Sequence, residues 1–509
     1  MRRRTLLAGV SAGIGTLAGC SATLRESTET ATLTPADPPT DSATDSPTPT
    51  SDDTSTPDDD ENGEQELGAA SIVDLETANR TYALAPLRYR SDDGASVRLR
   101  VASTATPDGP ATVEASLTNE NPFENTFRMR WTPPFGRLAS GIPRPMGERH
   151  GDYTDRVGLV FAPTENHDLV DDPPDLERGP DGYWRLAGDA LPEFPERVRL
   201  EPDETVHGEY ALVGRAQGAG RGRPPGVYEF SRGGEGPVRV TVWMTDAPGP
   251  ETDSQFAGVS VPALPREGEA AWFHDADSGT PTFVRPSVER TTLPARIEFV
   301  FVNRSREATS CGHWNLYKLE DGQWFHLGPY VQTADCRVVS PGGAKTWAMR
   351  AATGQMAPCE ATSYEFLGGG RYAAVAGYGH ATPRSGALVE FDAPAVDLVP
   401  TADVSTERDD ERVTATSKHW RAAPDEDHRA RVHLVLERAE NAERTIIAEQ
   451  VMRRRFRGLR NTLAFAAPDV DRVVLRTDDR TADRAVGNDG GTARFRYDDQ
   501  AYVLAKSSR

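Results

Sequence analysis

Cys20 is the residue whose type and position most directly allow covalent chemistry. It ends a Leu-Ala-Gly-Cys segment at residues 17–20, which follows Arg3, Arg4 and an apolar stretch at residues 6–17. A cationic start, an apolar stretch too short to span a bilayer and small residues before a cut site predict an export signal. We therefore predict that the export signal is cut beside Cys20.

The same residues resemble two known signals. Arg3 and Arg4 resemble the twin-arginine signal that directs folded proteins to export, and the residues before Cys20 resemble the lipobox of lipoproteins. The resemblance implies that the mature chain begins at a lipid-modified Cys20 and is held by that lipid at the extracellular face of the cell membrane. An ordinary secretory signal with an incidental cysteine is the alternative.

Three further cysteines allow one disulfide bond. Cys311 and Cys336 are the predicted pair, and Cys336 with Cys359 is the competing pair. Export makes a disulfide feasible, and the predicted bridge would stabilise the fold by roughly 3 kcal/mol. His313 lies two residues from Cys311, but no CxxC pair or HxxxH element accompanies them. We therefore predict a structural disulfide and no metal site.

One strongly basic segment occurs in this acidic chain. It contains Arg453, Arg454, Arg455 and Arg457, with Arg460 close behind. Such a cluster could bind anionic lipid headgroups or acidic surface glycans. The competing interpretation, which we favour, is a solvated helix face that pairs with nearby acids.

Two sequons could accept glycans in an exported chain. They begin at Asn79 and at Asn303. Asn303 also ends a predicted strand, so use of its side chain in a turn competes with glycosylation.

Other polar groups lack the spacing of a catalytic or metal site. The acid pairs at residues 171–172, 478–479 and 498–499 do not match a calcium loop, so we predict solvated loops. The ten histidines are scattered, and no nucleophile elbow, phosphate loop or dinucleotide fingerprint is present. We predict no catalytic residue and no cofactor, although a triad assembled by the fold stays open.

Charge is concentrated at one end of the chain. The net charge is -21, and residues 21–68 hold 13 acids against a single arginine, Arg25. These residues are rich in Ser, Thr, Pro, Asp and Glu and lack aromatic side chains, so they cannot bury enough apolar surface to fold. They predict a disordered stalk between the signal at residues 1–20 and the folded part.

The whole composition also narrows the choice of partners. Only four lysines accompany 53 arginines, and acids exceed bases throughout, which resembles proteins of halophilic archaea. An acidic surface serves solubility in molar salt and argues against nucleic acid as a partner. No later apolar run is long enough for a transmembrane helix.

Most of the folded part shows the two-residue period of β-strands. Val113, Ala115 and Leu117 alternate with polar residues, and similar short runs follow between Pro, Gly, Asn and Asp clusters. This pattern predicts a mainly β chain with antiparallel sandwiches. We assign the first sandwich to residues 69–250, a linker to residues 251–284 and the second sandwich to residues 285–394.

The two predicted sandwiches share a plan. Each has an apolar strand that ends in Asn, then a turn at residues 202–204 or 341–343, then Gly-x-Tyr at residues 226–228 or 370–372. Unequal offsets between these markers indicate an insertion within residues 132–185 of the first sandwich. The markers resemble bacterial Ig-like modules, including the group around the intracellular proteinase inhibitor BsuPI.

Residues 395–509 differ from both sandwiches. Residues 431–437, 471–477 and 492–504 have the pattern of strands, and residues 444–463 place apolar side chains near helical spacing. We predict a small α+β module with one helix on a sheet.

These features together predict a non-enzymatic, lipid-anchored surface protein. Its Ig-like modules would bind envelope proteins or surface glycans, or play a structural role. The resemblance to BsuPI suggests a proteinase inhibitor as the alternative. An exported hydrolase with its site in the insertion at residues 132–185 is the third and weakest reading.

Overall fold

The structure is a computed structural model that describes residues 69–146, 158–218, 222–230, 238–265, 270–310, 313–330, 338–357, 362–378, 384–421, 430–487 and 491–507. These residues all belong to one compact unit. The predicted signal, the predicted stalk and the cysteines Cys20, Cys311, Cys336 and Cys359 lie outside the described residues.

The first sandwich follows the apolar alternation of its strands. Within Thr112–Thr118 the side chains of Val113, Ala115 and Leu117 are buried, and the residues between them are partly exposed. The strands described here are β1 (Ser71–Asp74), β2 (Thr81–Ala85), β3 (Arg88–Arg90), β4 (Ser96–Ser103), β5 (Thr112–Thr118), β6 (Asn125–Arg128), β7 (Leu159–Pro163), β8 (Leu176–Arg178), β9 (Trp184–Leu186), β10 (Arg197–Leu200), β11 (Thr205–Gly214), β12 (Gly226–Glu229) and β13 (Arg239–Trp243).

Two main sheets enclose the first core. One has the strand order β1-β2-β13-β12, and the other has the order β3-β4-β5-β11-β9-β8, with β7 also paired to β11. Strands β6 and β10 form a separate antiparallel pair. The predicted insertion thus supplies β7, β8 and β9, which extend the larger sheet.

The second sandwich has the same two-sheet plan. Its described strands are β14 (Ala270–Trp272), β15 (Thr282–Pro286), β16 (Arg290–Thr292), β17 (Ala295–Asn303), β18 (Thr309–Ser310), β19 (His313–Glu320), β20 (Gln323–Gly328), β21 (Val338–Val339), β22 (Gly343–Ala351), β23 (Thr362–Tyr364), β24 (Gly370–Tyr378) and β25 (Arg384–Asp392). One sheet has the order β14-β25-β24-β19-β20, with β16 also paired to β25, and the other has the order β15-β17-β22-β23. Strands β18 and β21 form a short extra pair.

Both sandwiches use the same turn after the strand that ends in Asn. The Asn119 carbonyl accepts a hydrogen bond from the Asp203 N–H (2.9 Å), and the Asn303 carbonyl accepts one from the Gly342 N–H (2.8 Å). Asp203 and Gly342 both have positive φ angles, of 61° and 68°. The repeated plan inferred from the sequence therefore extends to backbone geometry.

A tyrosine closes the corner before the last strands of each sandwich. The Tyr228 hydroxyl donates to the Pro224 carbonyl, and the Tyr372 hydroxyl donates to the Gly368 carbonyl, each at 2.8 Å. Both tyrosines are fully buried. This is the hydrogen bond of a tyrosine corner in a β-sandwich, and it accounts for the Gly-x-Tyr marker.

The segment predicted as a linker at residues 251–284 is part of the second sandwich. It contributes β14 and β15, and the Trp324 indole N–H donates to the Pro262 carbonyl at 2.8 Å. Phe256 is fully buried on the same side of the sandwich. β14 has only three residues and β15 only five, which is too short for a clear two-residue alternation in the sequence.

The C-terminal module packs helices against one mixed sheet. Its described strands are β26 (Ser405–Asp409), β27 (Arg412–Thr416), β28 (Arg431–Arg438), β29 (Arg472–Asp478), β30 (Thr492–Tyr497) and β31 (Gln500–Ser507), in the sheet order β26-β27-β29-β28-β31-β30. The described helices are α1 (Lys418–Arg421), α2 (Ala448–Val451), α3 (Arg457–Leu463) and α4 (Asp479–Val486). The mainly β fold with sandwiches is confirmed.

The helical part of this module differs from the prediction. The single helix expected within residues 444–463 is divided into α2, a 3-10 turn at Arg454–Phe456 and α3, and α4 was not predicted. A Cβ on Gly458 would lie 2.9 Å from the Thr481 carbonyl oxygen, so glycine permits α3 to pack closely on α4. Asp478 caps α4 by accepting from the Thr481 N–H (2.8 Å).

A buried histidine in the first sandwich predicts sensitivity to acid. His167 Nδ1 accepts from the Leu169 N–H (3.0 Å), so the neutral ring carries its proton on Nε2, which lies 2.7 Å from the Tyr210 hydroxyl. Burial lowers the pKa of His167 from 6.5 to about 4, although the Asp168 charge opposes the shift. Between pH 6.5 and about 4 the unfolded chain therefore binds a proton on His167 that the folded chain does not bind.

We expect stability to fall as pH falls from 6.5 towards 4, by roughly 3 kcal/mol at most from this group. His167→Gln should remove that part of the slope when urea midpoints are measured across this range. His207→Gln is the matched control, because His207 is an exposed histidine nearby. Equal slopes in the wild type and His167→Gln would contradict the assignment.

Candidate functional site

A pocket of about 540 Å³ opens where residues 252–255 and Phe273 meet strands β15 and β17. We call it the junction pocket, because it lies beside the contact between the two sandwiches. Its lining residues are Thr252, Asp253, Gln255, Phe273, Arg285, Pro286, Ser287, Val288, Glu289, Glu298 and Val300. The volume is in the range of small-molecule sites.

Glu289 fixes one wall of the junction pocket. Its carboxylate accepts hydrogen bonds from the Ser254 hydroxyl and from the Gln255 N–H, the latter at 2.6 Å. Only 8% of Glu289 is exposed. A buried carboxylate is costly unless it is hydrogen-bonded, so these contacts hold residues 254–255 in place.

Phe256 anchors the same segment. Its ring is fully buried, and two guanidinium groups lie near the ring centroid, those of Arg290 (5.0 Å) and Arg371 (5.3 Å). Both arginines also lie near the Glu390 carboxylate, at 3.5 and 3.6 Å. The segment is therefore attached to the second sandwich by both apolar and charged contacts.

Arg304 joins the segment to the first sandwich. Its guanidinium donates to the Gly249 carbonyl (2.6 Å) and the Pro248 carbonyl (3.1 Å), and it pairs with Glu251. The Arg304 side chain is 5% exposed. Arg304 thus contacts the residues directly before 252–255, and the buried Phe256 follows directly after them.

A second contact with the first sandwich lies on the strand that lines the pocket. The Arg285 guanidinium donates to the Met146 carbonyl at 3.3 Å. Met146 comes from the part of the chain assigned to the first sandwich, but its side chain is buried in the core of the second sandwich. Contacts from both sandwiches therefore reach the residues that line the pocket or flank them.

Three lining side chains are not used to build the walls. Thr252, Asp253 and Gln255 are exposed, and within the described part of the chain their side chains make no hydrogen bond or ion pair. The Ser287 hydroxyl accepts from the Glu298 N–H (3.0 Å), which leaves its own proton for a ligand. The pocket therefore presents polar groups on a preformed frame.

The basic segment has a different position from the predicted helix face. Arg453 lies over the Tyr364 ring (4.3 Å), Arg455 over the Tyr330 ring (5.4 Å) and Arg460 over the Phe366 ring (5.0 Å). All three rings belong to the part of the chain that was assigned to the second sandwich. These contacts join the C-terminal module to that sandwich.

Exposure differs along the basic segment. Arg453, Arg457 and Arg460 are partly buried, whereas Arg454 and Arg455 are exposed. Burial lowers the pKa of the Arg453 guanidinium, against the opposing effect of Tyr364. An anionic partner would therefore meet Arg454 and Arg455.

A buried ion pair supports the same module contact. Lys318 Nζ lies 2.6 Å from Glu449 Oε1 and 2.6 Å from Glu320 Oε2. Glu449 also accepts from the Gly368 N–H at 3.2 Å. Burial alone would lower the pKa of Lys318, but the hydrogen bonds of Glu320 and Glu449 outweigh it, so the Lys318 pKa is raised.

The two sequons have opposite environments. Asn79 is exposed, with its amide donating to Asp246. Asn303 is fully buried, and its amide donates to the Glu307 and Val339 carbonyls, each at 2.9 Å. The Asn303 side chain thus takes the turn role that competes with glycosylation, and Asn79 is the exposed sequon of the two.

The acid pairs lie in structural positions. Asp498 and Asp499 have positive φ angles and form the turn between β30 and β31, and Asp478 caps α4. Asp171 and Asp172 are exposed. Among the described residues, no group of three or more His, Cys, Asp or Glu side chains could hold a metal ion.

The sequence pattern does not identify two residues of the candidate site, Arg304 and Glu289. Arg304 lies inside the second sequon, a motif that predicts a glycan on its asparagine and indicates no role for the arginine. Glu289 is one acid among many, and its partners Ser254 and Gln255 are about 35 residues away in the chain. The sequence shows Glu289 only as an isolated acid close to a stretch that contains apolar residues.

No helix in the described part of the chain is long and apolar enough to cross a membrane. Comparison with protein-family models and with curated proteins finds no match. One solved structure, a polysaccharide lyase, aligns with 62% of this chain and 36% of its own chain, at 13% identity and a TM-score of 0.13. This chain thus spans about a third of that lyase, and so low a TM-score carries no argument about fold or activity.

Proposed function

We propose that this protein is a lipid-anchored extracellular binding protein without catalytic activity, and that the junction pocket is its binding site. The observation that carries the proposal is that the residues that fix the pocket walls differ from those that remain available for a ligand. Glu289 and Arg304 are buried and fix the walls, while Thr252, Asp253 and Gln255 stay exposed and uncommitted within the described residues. A site whose walls are already ordered loses less entropy when it binds.

The contacts between modules support the same role. Arg304 links the two sandwiches, and the Lys318–Glu449 pair links the second sandwich to the C-terminal module. A ligand bound in the pocket would therefore be held by a site that is connected to all three modules. The proposed lipid on Cys20 and the acidic residues 21–68 would hold that folded part at the membrane and away from its surface.

The anchor has a direct test. Cys20→Ser should move the protein from the membrane fraction into the medium of growing cells, because the residue that would carry the lipid is gone. A Ser21→Ala variant is a matched control that keeps the thiol and should stay in the membrane fraction. Membrane retention of Cys20→Ser would contradict lipid attachment at this residue.

The binding role is tested separately on intact cells. Crosslinking should recover a surface partner with the wild-type chain and much less of it with Thr252→Trp, which places a large ring at the pocket mouth. Ser278→Trp is the control, since Ser278 is exposed outside the pocket lining. Equal recovery with both variants would contradict a role for the pocket.

A further inference from the structure

We infer that the first sandwich binds an oxyanion, the phosphate, sulfate or carboxylate group of a free ion or of a larger ligand, at the side chains of Arg80 and Arg223. We call this place the arginine cluster; it consists of Arg80, Arg223 and Tyr183. None of the three lines the junction pocket, so the inference does not rest on the proposed function.

Arg223 differs from the other buried arginines in its lack of a counterion. Among the described residues three arginines are buried, Arg185, Arg223 and Arg304. Arg185 pairs with Asp181 at 2.6 Å, and Arg304 pairs with Glu251. Arg223 is 4% exposed, and no carboxylate in the described part of the chain pairs with it. A buried charge without a partner is costly, so an anion from outside the chain would stabilise Arg223.

Only part of the Arg223 guanidinium is hydrogen-bonded within the chain. Its Nε donates to the Tyr82 hydroxyl at 3.0 Å, and its Cζ lies 5.4 Å from the centroid of the Tyr183 ring. The two Nη atoms have no hydrogen-bond partner among the described residues. These two atoms form the planar fork that matches a carboxylate or phosphate, so an oxyanion can accept two parallel hydrogen bonds there.

Arg80 brings a second guanidinium to the same place. Its Nε donates to the Arg223 carbonyl at 2.6 Å, and its Nη1 donates to the Asn79 carbonyl at 2.7 Å and contacts the Met244 sulfur. These acceptors are neutral, and the exposed Asp246 accepts from the Asn79 amide instead. Within the described residues Arg80 has no ion pair. Two positive groups so close together repel each other, and an anion beside both relieves that repulsion.

The neighbouring tyrosines do not supply the missing negative charge. Burial raises the pKa of both Tyr183 and Tyr228, and the charges of Arg80 and Arg223 oppose the rise. Both phenols therefore stay protonated at neutral pH. The Tyr183 hydroxyl has no hydrogen-bond partner among the described residues, so it is a neutral donor that an oxyanion can use.

A pocket of about 610 Å³ adjoins the arginine cluster. It is lined by Thr77 and by residues 178–182. Gly182 directly precedes Tyr183, and Thr77 belongs to the turn that leads to Arg80. The pocket therefore provides space for a ligand beside the cluster.

The charges of this pocket favour an anion. Asp181 is the one carboxylate among its lining residues, and it is paired with the buried Arg185. Arg178 is exposed, and it has no ion-pair partner in the described part of the chain. Arg178, Arg80 and Arg223 thus present positive charge that no paired carboxylate compensates, which attracts an oxyanion and repels a cation.

The experiment uses the full chain in detergent at constant ionic strength. The probes are inorganic phosphate, sulfate, acetate, glucuronate and, as the neutral probe, glucose. We expect saturable binding of at least one oxyanion in titration calorimetry and no saturable binding of glucose. Tighter binding of glucuronate than of acetate would assign the oxyanion to a larger ligand, and equal binding would assign it to a free ion; both results support an oxyanion site.

Variants locate the binding. Arg223→Gln should abolish it, and Arg80→Gln and Arg223→Lys should each weaken it by about tenfold, because they remove one guanidinium or replace the fork by a single ammonium. Arg98→Gln is the matched control, since Arg98 is exposed on the same sandwich and makes no ion pair among the described residues. It should bind like the wild type.

Urea denaturation gives a second measurement. Because the anion binds the folded chain, phosphate should raise the urea midpoint of the wild type and of Arg98→Gln until the site is saturated. Arg80→Gln should need about tenfold more phosphate for the same rise, and it alone decides the outcome if Arg223→Gln does not fold. The inference is overturned if no oxyanion binds saturably, if glucose binds more tightly than the oxyanions, or if Arg80→Gln binds them like the wild type.

Discussion

Gly342→Ala is expected to weaken the contact between the two sandwiches by about 2–4 kcal/mol. The residue has a φ angle of +68°, where a side chain costs about 1 kcal/mol or more. An added Cβ would also lie 2.8 Å from the Ala83 Cβ and 2.9 Å from the Thr241 Cβ, on neighbouring strands of the first sandwich. These are short side chains on sheet backbone, so they cannot turn away, and such crowding costs about 1–3 kcal/mol.

Gly322→Ala separates the two parts of that effect. Gly322 has nearly the same φ angle, +73°, but an added Cβ would meet nothing within 4 Å. It should therefore show only the backbone cost, about 1 kcal/mol. Urea denaturation of both variants gives the comparison. Equal losses of unfolding free energy in the two variants would contradict a steric contact between residue 342 and the first sandwich.

The same variant tests whether the sandwich contact supports the pocket. The Thr241 hydroxyl donates to the Gly342 carbonyl at 2.7 Å, so displacing residue 342 also disturbs this bond. We expect faster hydrogen exchange around residues 249–256 in Gly342→Ala than in Gly322→Ala. Unchanged exchange in this segment would show that the pocket is held by Glu289 and Arg304 alone.

Glu449→Leu is expected to destabilise the C-terminal module by about 3 kcal/mol. It removes a buried partner of Lys318, and an uncompensated buried charge typically costs about 3–5 kcal/mol. Glu320 remains beside Lys318, which favours the lower end of that range. The loss should appear as a lower urea midpoint and faster hydrogen exchange in β28 and β29.

The double variant Lys318→Met/Glu449→Leu should recover part of that loss, because the buried ammonium is then removed together with the Glu449 carboxylate. Glu320 also loses Lys318 as a partner, but its side chain is 41% exposed, so solvent limits that cost. Glu437→Leu is the matched control in the same module. Its partner Arg472 is 3.3 Å away and both side chains are about half exposed, so the expected loss is below about 1 kcal/mol. A double variant as unstable as Glu449→Leu would contradict a coupled pair.

The pH dependence of this pair follows from the raised pKa of Lys318. Folded and unfolded chains both carry the proton at neutral pH, so the stabilisation is complete there. It should fall only as pH rises above 10.5, the ordinary value, towards the raised folded-state pKa. A loss of the Lys318–Glu449 coupling energy near neutral pH would contradict this assignment.

Local periodicity was sufficient to predict the β architecture. Alternation in stretches such as residues 113–117 identified strands because a sheet buries every second side chain. The repeated Asn and Gly-x-Tyr markers identified two related sandwiches, since Asn119, Asn303, Tyr228 and Tyr372 make their key bonds within or beside their own repeat. The markers are visible in the sequence because the same residue types recur in the same order, although Asn119 and Asn303 bond to residues further along their own repeats.

The contacts between modules could not be predicted in this way. Lys318 and Glu449 are 131 positions apart, and Arg453 meets Tyr364 across a module boundary. Nothing in the local composition distinguishes a guanidinium that stacks on a distant ring from one that faces solvent. The sequence of the basic segment therefore favours a solvated helix face, whereas in the structure the segment lies against the second sandwich.

The sequence by itself determined the strand pattern, the internal repeat and the acidic bias, and it predicts a signal that ends at Cys20. Each depends on residue type and short-range spacing. Only the tertiary structure decided that Asn303 is buried while Asn79 is accessible, and that Glu289 and Arg304 order a pocket beside the sandwich junction. The physical reason is that burial and partner choice depend on residues brought together from distant parts of the chain.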